Sequence, residues 1–247
     1  MMKIGVADYG IYAWEGGFYD YLERMKKVQS VGYDGLERLH AQTAEQALTL
    51  SAQVRKLGAD FATCLAPTPE LSLQWTAALG KAYMWTNVIG KDFDTFCRQV
   101  NCQIAYAKPY GVEVALHNHL GSLVETQDEL LRFLDACPEA KLVLDTGHLS
   151  VAAGGDPLYI VTHYYDRIAA VHLKEWVSTD PSAENWFDRG YFCELGGGSI
   201  PSQNDEIVRC LAERGYDGWL FVEHDTHKQE PLLDLKASRD YLRRLGV

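Results

Sequence analysis

Apolar and polar positions along the chain follow two periods in turn. Short runs with strand character occur at 3–7 (KIGVA), 35–39 (GLERL), 60–66 (DFATCLA), 82–86 (AYMWT), 112–117 (VEVALH), 141–145 (KLVLD), 168–173 (IAAVHL) and 219–223 (WLFVE). Between them lie stretches with the helical period. The segment 18–32 places Tyr21, Met25 and Val28 on one helical face and stops at Gly32. The segment 43–58 opens on Thr43 and closes on Gly58, residues suited to the two ends of a helix. Segments 92–111, 126–138 and 204–215 repeat the pattern, and a last helix is predicted over 231–246, starting at a proline and ending at Gly246.

Most strand-to-strand steps are roughly 22 to 32 residues, the length of one βα unit. Eight such units in 247 residues predict a single-domain α/β protein, a (β/α)8 TIM barrel over 1–247. The alternative, a doubly wound sheet, calls for a glycine-rich first turn, and GVADYGIYAWEGG after the first strand is not GxGxxG. One connection is irregular. Residues 176–203, between the seventh and eighth strands, are too long for a plain link and are expected to cover the mouth of the barrel, bringing aromatic residues such as Trp186 and Phe192.

Composition narrows the partners. Hydrophobic residues make up 47% and the net charge is −11, so a core is available and a phosphate backbone is a poor ligand. A small molecule is expected, with no nucleic acid and no membrane; the oligomeric state, homo-oligomer included, stays open. The six cysteines form no CxxC, no signal-like apolar core opens the chain, and reduced thiols in a cytoplasmic protein are expected. His163 and His227 read as surface groups, Trp75 and Tyr164-Tyr165 as packing, and GGGS at 196–199 as a flexible loop, since no lysine follows as in a P-loop.

Chemistry concentrates where the strands end. The fifth run ends in His117-Asn118-His119, the sixth in Asp145 with His148 beyond, the seventh in His172-Leu173-Lys174, the eighth in Glu223-His224-Asp225, and Glu37 sits near the end of the second. Barrel enzymes carry their catalytic groups at this rim. Burying such groups unpaired is expensive, and a shared cation offsets the cost. Strand alternation selects one inward group from each of four strands: His117, Asp145, His172 and Glu223. Two imidazoles and two carboxylates suit one divalent metal ion, Mn, Co, Mg, Fe or Zn. His119 shares a face with His117 and is the alternative ligand from that strand.

These motifs resemble the xylose isomerase-like barrel family of sugar isomerases, epimerases and endonuclease IV. The resemblance rests on GYDGLE (32–37), HNH (117–119), LDTGH (144–148), VHLK (171–174) and GYDGW with LFVE (215–223). The second half is similar to the inosose dehydratases. The resemblance implies a divalent metal held from the last four strands and a sugar or cyclitol substrate. Asp145, His172 and Glu223 match the family's metal ligands, and His117 stands where many members have a glutamate. His148 and Lys174 match positions facing substrate, and Glu37 a strand-two glutamate near the sugar. The chain departs from the pattern in HLKE for HLKD, in HNHLGS, and in YFCELGGGS, which lacks a proline-glycine-aspartate turn.

The expected chemistry is proton removal beside a carbonyl, giving an enediolate. A metal that lowers the pKa of water from 15.7 to about 7 supplies roughly 12 kcal/mol at about 1.36 per unit. Epimerisation needs a base on each face of one carbon. An imidazole ligated through its lone pair is a poor second base, so His117 in place of a glutamate favours a lyase. The catalytic set is then Glu223 as base with His119, His148 and Lys174 as acids, and Glu37, Asn118, Trp186 and Phe192 bind substrate. The alternatives are a sugar isomerase or ketose 3-epimerase, and a metal-dependent sugar-binding protein without turnover.

Overall fold

The computed structural model describes residues 2–18, 20–87, 90–200 and 202–247. The chain begins with β1 (Lys3–Val6), α1 (Tyr9–Trp14), α2 (Tyr21–Ser30), β2 (Gly35–His40), α3 (Ala44–Lys56), β3 (Asp60–Leu65), α4 (Pro69–Ala78) and β4 (Tyr83–Trp85). Then come α5 (Phe93–Ala107), β5 (Glu113–His117), α6 (Gln127–Ala136), β6 (Lys141–Asp145), α7 (Thr146–Val151), α8 (Pro157–His163) and β7 (Ile168–Leu173). It ends with β8 (Glu175–Ser178), β9 (Gly190–Cys193), α9 (Asn204–Glu213), β10 (Trp219–Val222) and α10 (Pro231–Arg244).

Eight parallel strands run side by side in the order β3-β2-β1-β10-β7-β6-β5-β4. Among the described residues no hydrogen-bonded ladder joins β3 to β4; the two strands close the ring by side-to-side contact. This is the TIM barrel that the sequence predicts, and all eight predicted runs contain a barrel strand.

Two apolar layers hold it. The outer one lies between strands and helices, where Met25, Val28, Leu36, Phe133, Leu144, Val171, Leu211 and Leu220 are buried. The inner one fills the barrel: Ala62, Ala115, Val143 and Ala170 are small, and Tyr83, Trp219 and Phe221 take the remaining volume. Strands buried on both faces read as nearly continuous apolar runs, which is why they stood out in the sequence. Side chains of Thr43, Thr68, Asp92 and Thr126 cap α3, α4, α5 and α6, and Thr126 with Glu129 forms a capping box. Each cap stabilises by about 1 kcal/mol and fixes where the chain leaves the rim.

The long 176–203 connection contains an antiparallel hairpin, β8 against β9, with Trp176 facing Phe192 and Val177 facing Tyr191. Among the described residues no helix is long and apolar enough to cross a membrane. All six cysteines are free.

Candidate active site

The strand ends bring their ionisable groups to one place. His117, Asp145, His172 and Glu223 each offer one ligand atom, all within 4.8 Å of one another. Asp145 ends β6 and divides its carboxylate between two tasks. Oδ1 caps α7 by accepting from the His148 amide at 2.8 Å, while Oδ2 faces His117 Nε2 at 3.2 Å and Lys174 Nζ at 3.1 Å. This answers why a buried strand ends on Asp-Thr-Gly-His: the aspartate starts the next helix and supplies the site. A Cβ on Gly147 would lie 2.3 Å from the Lys174 Cβ, so only glycine lets α7 pack this closely against the lysine.

His172 is completely buried and is gripped at both nitrogens. Nδ1 lies 2.7 Å from Glu223 Oε2, and Nε2 lies 3.1 Å from Glu37 Oε2. Burial alone would lower its pKa, but the Glu37 and Glu223 carboxylates overcome that and push it up to about 10. Glu37 is itself buried, and its Oε1 accepts from Tyr83 Oη at 3.0 Å and Trp85 Nε1 at 2.8 Å. It was expected beside the sugar; both its oxygens instead serve His172, Tyr83 and Trp85, beneath the ligand cluster.

Lys174 is a buried ammonium among three carboxylates: Asp145 and Glu223 at 3.1 Å and Asp225 at 2.9 Å. Burial opposes its charge, yet these partners raise its pKa. In return, and against the effect of their own burial, Lys174 holds Asp145 and Glu223 well below the usual carboxylate range, assisted by His148 at Asp145 and by His172 at Glu223. His148 Nε2 lies 2.9 Å from Lys174 Nζ, a contact in which the imidazole accepts. Burial, then the Lys174 charge, lowers its pKa to about 4. This direction, with the Lys174 contact, disfavours His148 as the protonated acid that the sequence suggested. Burial likewise lowers the pKa of His117.

His119 and its surroundings form the outer part of the site. Its Nδ1 lies 2.6 Å from the Leu120 carbonyl, so Nδ1 carries the proton and Nε2 is left as an acceptor. The ring lies 3.9 Å from that of His148, and Trp186 from the hairpin stands edge-on to both, at 6.1 and 5.9 Å. Phe192 packs against His148 at 5.1 Å and under the Lys174 ammonium at 4.8 Å. The hairpin thus brings Trp186 beside these two histidines, and Phe192 is a buried wall.

Asn118 was assigned to substrate and is placed elsewhere. Its amide donates to the Asp145 carbonyl at 3.1 Å and accepts from the Asp145 amide at 2.8 Å, a buried brace between β5 and β6. Three further residues were missed. Trp85 stacks on His117 at 4.7 Å, and strand alternation with Tyr83 was its available signal. Asp225 shares a strand face with Glu223 and completes the Lys174 cage. Asn204 donates to the Lys174 carbonyl at 2.9 Å and accepts from Thr146 at 2.8 Å, and nothing in the local sequence marks it.

A parallel βα barrel whose rim gathers two imidazoles, two carboxylates and a caged lysine defines the class of protein. Residues 54–245 match the xylose isomerase-like TIM barrel family, and the chain belongs to it. It is 28% identical to an inosose dehydratase of Bacillus velezensis over 85% of this chain and 71% of that one. It is 30% identical to the rhizopine catabolism protein MocC of Rhizobium meliloti over 64% of this chain, a match spanning 51% of MocC. Several other inosose dehydratases are matched over about half their length. The fold is shared with D-psicose 3-epimerase from Clostridium cellulolyticum H10, with TM-score 0.72, 20% identity and 99% of both chains covered. A probable 3-DHS dehydratase from Bacillus anthracis has TM-score 0.73 and 16% identity, with 98% of this chain and 99% of that chain covered.

Proposed function

We propose that the chain is a divalent-metal-dependent enzyme that dehydrates a small carbonyl-bearing polyol, a cyclitol or sugar, through an enediolate. One observation carries the reading: four donor atoms of the right kinds converge within 4.8 Å at the barrel mouth. The donor set fits a divalent ion, and Glu37 stands behind His172 as such ligand histidines require, fixing the ring from its far nitrogen. The similarity to inosose dehydratases supports a lyase acting on a cyclitol.

A divalent ion held by His117, Asp145, His172 and Glu223 would polarise the substrate carbonyl. The protein's own groups divide the remaining work. Lys174, fixed by three carboxylates, places a permanent positive charge beside the developing oxyanion. Its ammonium is held by the three carboxylates and donates to His148, so neither group is placed to supply the acid. Glu223, bonded to His172 and Lys174, serves as a ligand in preference to a base. Proton movement falls to His119 Nε2, the nitrogen that the Leu120 carbonyl leaves available. One imidazole can take the α-proton and return it to a β-hydroxyl departing on the same face. Trp186 and the hairpin shield that exchange from water.

The test is incubation with inososes and ketohexoses in D₂O, followed by chromatography and mass analysis. An unsaturated or deoxy-diketone product with a new ultraviolet band is expected. Asp145→Ala and Glu223→Ala should lose metal by elemental analysis, and His119→Gln should keep metal and lose turnover. A saturated, inverted sugar as the sole product would sink the lyase reading, and full metal content in Asp145→Ala would remove the assigned ligands.

A further inference from the structure

A second cluster lies just beyond the mouth. His224, His227 and Asp234 each offer one ligand atom, and these atoms all lie within 4.8 Å of one another. His227 was expected at the surface, but its side chain is 2% exposed. The covering comes from α1: Trp14 stands edge-on to His227 at 6.3 Å, and a Cβ on Gly10 would come within 2.9 Å of His227 Nε2. His227 Nδ1 lies 2.8 Å from Asp234 Oδ2, and Gln229 donates to Oδ1.

His224 is the unresolved member. It is 2% exposed, and its Nδ1 makes no hydrogen bond among the described residues, although it points at Asp234 Oδ2 from 3.9 Å. Its other nitrogen, Nε2, lies 3.3 Å from Ser238 Oγ, which also accepts from the Leu195 amide. That hydroxyl can pair with Nε2 in either tautomer, so the described residues leave Nδ1 without a hydrogen bond wherever the ring carries its proton. A buried ring nitrogen without a partner, 3.9 Å from a carboxylate oxygen, is costly, and a cation between the two removes the cost. Two imidazole nitrogens and one carboxylate oxygen are the donor set of a three-ligand zinc site, and Ser238 is the outer partner that orients the first ring.

We propose that His224, His227 and Asp234 form a divalent-metal site of the zinc class, separate from the mouth cluster, that fastens the 224–230 loop to α10. The position gives it a purpose. The loop carries Asp225, which cages Lys174, and Thr226, whose hydroxyl bonds both the amide and the carbonyl of Phe192 at 3.1 Å. Metal at this site would hold the hairpin and the lysine cage in one geometry from a point that never touches substrate.

The experiment titrates chelator-stripped wild type, His227→Gln and Asp234→Asn with Zn²⁺ under equilibrium dialysis, with elemental analysis of each. Wild type should retain one equivalent more than either variant, whether or not the mouth site also fills. The same one-equivalent difference should persist in an Asp145→Ala background, which separates this proposal from the metal assignment at the mouth. Zinc should also raise the melting temperature of wild type more than that of His227→Gln. If His227→Gln does not fold, Asp234→Asn, which keeps the side-chain shape, carries the test. Equal zinc content in wild type and variants overturns the site.

Discussion

Replacing Lys174 with methionine keeps an unbranched apolar stem, one atom shorter, and removes the ammonium with its charge and its hydrogen bonds. In the metal-free protein this leaves Asp145, Glu223 and Asp225 facing one another without the ammonium that now lies about 3 Å from each. At an effective dielectric of about 20, one such pair attracts by roughly 5 kcal/mol, most of which is offset by the ammonium's own desolvation. Breaking a buried pair costs about 3–5 kcal/mol, and with three carboxylates sharing one cation the upper half of that range is expected. For a chain of this size the loss corresponds to about 8–20 °C in melting temperature. The pH dependence identifies the cause. In wild type, Asp145 and Glu223 have depressed folded-state pKa values, so their contribution is present above the unfolded carboxylate range and lost as pH falls through the folded values. Lys174→Met loses much of that depression, so its deficit should hold from neutral pH down to the unfolded carboxylate range and shrink only below about pH 4. Urea unfolding at about pH 7.5 and about pH 3, both in EDTA, measures the two gaps. A loss under about 1 kcal/mol at pH 7.5, or a gap that widens in acid, would refute the caged-ammonium account.

Two further outcomes follow from the same site. His172, pushed up to about 10 in the metal-free chain against an ordinary 6.5, contributes stability that is full below pH 6.5 and lost between 6.5 and 10; metal uptake at pH 8 should therefore release close to one proton, read by calorimetry in buffers of different ionisation enthalpy, and a buffer-independent heat would contradict it. Trimming residues 182–190, or changing Trp186 to alanine, should lower turnover at least about tenfold with metal content unchanged, because Trp186 closes over His119 and His148; undiminished turnover would show that the hairpin is no lid.

The barrel was legible because its strands are buried on both faces and its helices carry capping residues at their starts. What escaped detection has local causes. Helix α4 buries Ser72, Leu73, Trp75 and Thr76 on neighbouring sides, which blurs the helical period, and α7 and α8 are only 6 and 7 residues long. The β8–β9 hairpin has strands of 4 residues each, too short for alternation to show. At the site, ligand types at strand ends were readable since ionisable groups seldom close an apolar run. The roles of Glu37 and Asn118 were not, because each is decided by partners far along the chain: Tyr83, Trp85 and His172 for one, the Asp145 backbone for the other. His227 looked exposed for the same reason, its cover arriving from Gly10 and Trp14 at the other end of the chain.

The seam between β3 and β4 has a consequence for how the barrel breathes. In hydrogen-bond terms the ring is a strip with two ends, and β4, with 3 residues, is one of them. Amide exchange should begin there, while β6, β7 and β10, each laddered on both sides, exchange last. Most of the ligand cluster sits on that slow arc. Trp85 does not: it rides on the short end strand, stacked on His117 and bonded to Glu37. Each opening of the seam would lift the indole from the first of the four ligands, so the local unfolding rate of one short strand sets how often the site is left without its aromatic wall.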